Sequence, residues 1–116
     1  MDTSRSSDAQ RRCVATATVF SGRPDPEWQV RATTVRDLEK LWDQLEVSGS
    51  RPAAPAPLGY RGCTLDCGTD ARWFAYRGTV SKGGEHRSDP QRRFERALLR
   101  CAPPGLIPQA VLAEIG

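Results

Sequence analysis

The sequence predicts an α+β domain: a four-stranded, mainly antiparallel sheet in ββα-ββα order, with two main helices and a short C-terminal helix. Three observations carry that expectation. Two stretches alternate apolar and polar residues around Gly- and Asp-containing turns, each is followed by apolar residues at helical spacing, and a proline-rich connection separates the halves. Half-apolar hairpins and amphipathic helices share one economical arrangement, a single sheet with its helices packed on one face.

Residues 1–11 lack periodicity and read as a loose tail, which leaves 12–116 as one domain with a Pro-rich connection at 47–58. Residues 13–20 are small and β-branched, as a strand requires. In 21–26, Gly22 tolerates a positive φ while Pro24 and Pro26 withhold ladder donors, so the chain turns. Trp28, Val30 and Ala32 then alternate with Glu27, Gln29 and Arg31, the pattern of a half-buried strand closing a hairpin. Thr34 is placed to cap a helix, with Asp37 as its capping partner. Val35, Leu38, Leu41, Trp42 and Leu45 form the apolar stripe of that helix, and Arg36, Glu39, Lys40 and Asp43 face outward. Pro52, Pro55 and Pro57 make the connection after it extended.

The second half repeats the order. Cys63, Leu65 and Cys67 share one face of a strand over 60–67, and 68–70 turns the chain. Residues 72–80 read as a single fourth strand, with Phe74, Tyr76 and Val80 on one face, and 81–89 as a polar loop. Asp89 caps a helix over 90–101 whose first position holds Pro90. Phe94, Ala97, Leu98 and Cys101 line its apolar side, opposite Arg93, Arg96 and Arg100. Residues 106–115 add the terminal helix.

Composition excludes several classes. A 38% hydrophobic fraction is too high for a disordered chain. The polar first fifteen residues do not resemble a signal peptide, and no stretch of about 20 apolar residues spans a membrane. The expectation is a soluble, cytoplasmic protein. Seventeen cations against fourteen anions leave a net charge of +3, and fifteen of the cations are arginine. The excess sits in 86–101, where Arg87, Arg93, Arg96 and Arg100 could recognise an anion or nucleic acid, with Tyr60, Trp73 and Tyr76 as stacking partners.

Chemistry has few footholds. Cys63 and Cys67 stand at C-x3-C spacing, and with Cys13 and Cys101 they could complete a four-thiolate zinc site or pair as a disulfide. Each lies on an apolar face, so buried free thiols are the favoured reading, with no metal and no cofactor. The single histidine, His86, is the one imidazole available as a base to a cysteine nucleophile. Phosphate-binding, dinucleotide-binding, zinc-protease and nucleophile-elbow motifs are missing. The chain therefore reads as a non-catalytic accessory protein that docks a protein or peptide partner. Its binding residues are expected to be Arg23, Asp25 and Trp28 on the first hairpin, residue types that populate binding hot spots. An exposed sheet edge offers strand addition as one docking mode.

Overall fold

The computed structural model describes residues 13–19, 24–48, 59–68 and 71–115. The predicted tail, Arg23 and most of the Pro-rich connection lie outside these residues. The architecture is α+β, with one antiparallel sheet, but the sheet has six strands rather than four. In chain order the elements are β1 (Cys13–Ala17), β2 (Glu27–Val30), α1 (Ala32–Gln44), β3 (Cys63–Asp66), β4 (Arg72–Tyr76), β5 (Thr79–Lys82) and β6 (Glu85–Ser88). A 3-10 turn (Pro90–Arg92), α2 (Arg93–Arg100) and α3 (Gln109–Ile115) complete the chain.

The strand order across the sheet is β2-β1-β3-β4-β5-β6. Both β2 and β3 pair antiparallel to β1, so they run in the same direction one strand apart, and α1 carries the chain between them. From β3 onward the sheet is a meander. The two additional strands arise where the sequence suggests one long strand and a loop. Arg77 and Gly78 both have positive φ (44° and 89°) and close a two-residue hairpin with Tyr76 opposite Thr79. Such turns match the right-handed twist of the flanking strands. Gly83 and Gly84 do the same between β5 and β6, where Lys82 opposes Glu85. The first turn reverses the chain, so Val80 lies opposite Ala75 rather than on the face of Tyr76.

Apart from Tyr76 at the end of β4, the buried sheet positions share one face: Trp28 and Val30, Cys13, Ala15 and Ala17, Cys63 and Leu65, Trp73 and Ala75, and Val80. Small side chains in the central strands let α2 settle against β3 and β4, and Phe94, Leu98 and Leu99 fill the space between. α1 packs beside α2 and contributes Val35, Leu38 and Trp42, as its sequence stripe predicts. Its start differs: the helix begins at Ala32 after an extended Arg31, and Thr34 is not its cap. Asp89 does cap α2, although from further upstream than expected. Its carboxyl accepts the Phe94 N–H (2.9 Å) and the Glu95 N–H (3.2 Å) across the intervening 3-10 turn.

The opposite face carries Val14, Thr16, Thr64, Phe74, Ser81 and His86, all half-buried. Phe74 lies on Gly62, where a β-carbon would stand 2.5 Å from the ring, and Gly62 also has φ +121°. Only glycine meets both conditions.

Candidate functional site

The two edges of the sheet are finished differently. Along β6, Val47 bridges Arg87, the Ser48 N–H donates to the His86 carbonyl (2.8 Å) and the Ser88 N–H to the Glu46 carbonyl (2.8 Å). The chain that leaves α1 thus covers that edge. At the other side β2 is the last strand, and among the described residues nothing pairs with its outer edge.

The Ala17 N–H donates to the Pro26 carbonyl (3.1 Å), and this bond sets the alternation along β2. Trp28 and Val30, opposite Ala15 and Cys13, turn their backbone groups toward β1; Glu27 and Gln29 turn theirs outward. The side chains of Glu27 and Gln29 are exposed, as is that of Arg31. A shallow cavity of about 430 Å³ opens beside the strand, with Thr16, Glu27, Thr64, Asp66 and Arg72 in its wall.

Trp28 and Asp25, expected as partner contacts, hold this strand in place. Trp28 is 5% exposed, and its indole Nε1 donates to Cys101 Sγ (3.4 Å) beneath the sheet. Its ring therefore offers almost no surface to a partner. Asp25 is half-buried, and its carboxyl accepts the Val19 N–H (2.9 Å), tying the two ends of the β1–β2 connection.

The cysteines divide into two kinds, which corrects the expectation of four free thiols. Cys13 and Cys67 form a disulfide between β1 and the residue after β3, with Cα atoms 4.2 Å apart. They stand opposite each other one step beyond the Val14–Asp66 pair, at a position where antiparallel strands approach closely. Cys63 and Cys101 are free. Burial, with a smaller contribution from Glu95, holds the Cys63 thiol well above its ordinary range, and burial raises Cys101 as well. Both remain protonated, poor nucleophiles. With two of the four sulfurs bonded to each other the four-thiolate site does not form, and among the described residues no group of three or more His, Cys, Asp or Glu side chains could hold a metal ion.

A buried polar cluster escapes the sequence reading altogether. Glu95, on the arginine-rich helix, is 0% exposed. It accepts hydrogen bonds from the Tyr60 hydroxyl, the Arg77 N–H (3.0 Å), and Arg92 Nε and Nη2 (2.8 and 2.9 Å). Arg77, Gln91 and Arg92 are the three non-glycine residues with positive φ among those described, and Arg77 and Arg92 both bond to this carboxyl. Left-handed backbone costs roughly 1 kcal/mol per residue, and the converging hydrogen bonds offset it. The cluster ties the segment that leads into β3, the β4–β5 turn and α2 together. Burial and the Glu95 carboxyl push the Tyr60 hydroxyl far above its usual value, and burial also raises the Asp89 carboxyl. Every hydrogen-bonding position named on Glu95 is already filled from within, as befits a structural hub.

Of the residues of the nucleic-acid alternative, Arg87 stands on β6 and Arg93, Arg96 and Arg100 on α2. Arg87 stacks over Trp42 (4.2 Å), donates to the Trp42 carbonyl (2.7 Å) and pairs with Glu85. Arg93 and Arg100 are exposed and Arg96 is half-buried. Tyr60, Trp73 and Tyr76 are buried, so none forms a stacking platform. His86 meets no cysteine. Its Nδ1 lies 2.7 Å from Ser81 Oγ across β5 and β6, beside Phe74. Nucleophilic use of such a pair needs a third group that orients the imidazole and donors for an oxyanion. Among the described residues no helix is long and apolar enough to cross a membrane. Comparison with protein-family models, curated proteins and solved structures returns no significant match for this chain.

Proposed function

We propose that this chain is a non-catalytic docking protein that takes up an extended segment of a protein partner on the outer edge of β2. The contrast between the two sheet edges carries this reading: β6 is covered by residues 46–48, whereas the outward N–H and C=O groups of Glu27 and Gln29 have no strand beside them among the described residues. A segment added there extends the sheet. Its backbone hydrogen bonds supply affinity, and its alternate side chains meet Glu27, Gln29 and Arg31. In this reading Trp28 and Asp25 act from below, fixing the edge that the partner uses.

Selection from a displayed library of short peptides, with the folded chain as bait, tests the reading. Proline at position 29 removes an outward N–H without disturbing the ladder to β1. Selected peptides are expected to bind Gln29→Pro about fivefold more weakly or worse, since each hydrogen bond contributes roughly 1 kcal/mol. A library that yields no binder, or binders indifferent to Gln29→Pro, would overturn it.

A further inference from the structure

We infer that a second copy of this chain fits the β2 edge, joining two six-stranded sheets into one about a two-fold axis at Gln29; this rests on the edge-docking reading above. The charges along the edge are complementary to themselves. Glu27, Gln29 and Arg31 share one face and are exposed. Arg31 is still extended (φ −66°, ψ 149°) before α1 begins, so the strand direction continues through it. Antiparallel pairing centred on Gln29 sets Gln29 against itself and Glu27 against Arg31 of the other copy, at both ends. The same register matches the outward backbone groups, because residues 27, 29 and 31 all lie on the outward phase of the ladder. The Arg31 carbonyl accepts the Val35 N–H (2.9 Å), so at each end the pair keeps one backbone bond, from the Arg31 N–H to the Glu27 carbonyl of the other copy.

Other registers are poorer. Sliding by two residues sets Glu27 against Gln29 and asks Arg31 to pair with Asp25, whose carboxyl is turned back onto the Val19 N–H. Sliding by four sets Glu27 against Glu27. Edge strands that avoid self-pairing present like charges, a bulge or a proline within the strand; here opposite charges are spaced so that two copies attract. The contact is isologous, so it closes at two copies. A four-residue strand pair makes a small interface, so the dimer dissociates on dilution.

Sedimentation velocity from low-micromolar to near-millimolar concentration tests the inference with the full chain. The mass is expected to rise from 12.8 kDa toward twice that value. Glu27→Arg and Arg31→Glu, each alone, set like charges opposite each other and weaken association by about tenfold or more. The two together in one chain exchange the signs and restore association to within about threefold of the original. A chain that stays at 12.8 kDa throughout, or a double variant as weak as the single ones, overturns the inference. A monomer whose selected peptides still lose affinity to Gln29→Pro removes the second copy but keeps the docking edge; a monomer that also selects no peptide removes both.

Discussion

Removal of the Cys13–Cys67 disulfide has the largest consequence that can be worked from the structure. The bond closes a loop with a sequence separation of 54 residues. In the chain-entropy treatment a loop of that length restricts the unfolded chain by about 4 kcal/mol. A domain of this size is stable by roughly 5–15 kcal/mol in total, so the bond supplies a quarter or more of it. The corresponding fall in Tm is on the order of 15–25 °C. The comparison is urea unfolding of the oxidised chain, the chain under reductant, and the Cys13→Ala/Cys67→Ala double variant. Trp28, Trp42 and Trp73 are all buried, so tryptophan emission follows the loss of the core. The reduced and doubly substituted chains should unfold together, well below the oxidised one. Coincident midpoints for all three, or four titratable thiols in the unfolded chain before any reductant is added, would refute the reasoning.

Three further outcomes follow from the packing. Glu95→Gln keeps the shape of the buried hub but removes the charge that Arg92 forks, and should cost about 2–3 kcal/mol in thermal unfolding; the value falls short of the fully buried range because Arg92 is a fifth exposed. An unchanged Tm would mean that the cluster does not hold α2. Tyr60 keeps its proton in the folded chain well beyond pH 10, where an unfolded tyrosine loses it. The stability it lends is therefore complete below pH 10 and declines as pH rises above that, by up to about 1.4 kcal/mol per pH unit; Tyr60→Phe should flatten the decline in urea midpoints between pH 9 and about 11, and an identical decline in both proteins would contradict the assignment. Gly62→Ala drives a methyl group into the Phe74 ring and forces a positive φ on alanine, so a loss of about 1–3 kcal/mol is expected, and a neutral effect in chemical denaturation would refute the contact.

Local patterns were legible in the sequence, and long-range pairing was not. The apolar stripe of α1, the first hairpin and the covered face of the sheet follow from periodicity, which Val35, Leu38, Trp42, Trp28 and Val30 obey. The extra strands were hidden because β6 is polar and half-exposed, without the alternation that marks a strand, while Arg77 occupies a turn position that usually holds Asn or Gly. Cys13 and Cys67 meet only because β3 lies beside β1, an adjacency that depends on where α1 delivers the chain. For the same reason the alternation of Glu27, Gln29 and Arg31 was visible, while the position of their strand at the edge was not. Glu95 stood unnoticed among arginines because nothing in a helix of charged residues marks which side chain will be enclosed.

Amide hydrogen exchange along β2 tests the docking edge most directly. In the dilute chain the Trp28 and Val30 amides, bonded to β1, should exchange slowly, and those of Glu27 and Gln29 rapidly. Saturation with a selected peptide should slow Glu27 and Gln29, concentration into the dimer should slow Gln29, and both should leave Trp28 and Val30 as they were. Glu27 and Gln29 amides that stay fast in the saturated complex, or that are already as slow as their neighbours in the dilute chain, would contradict it.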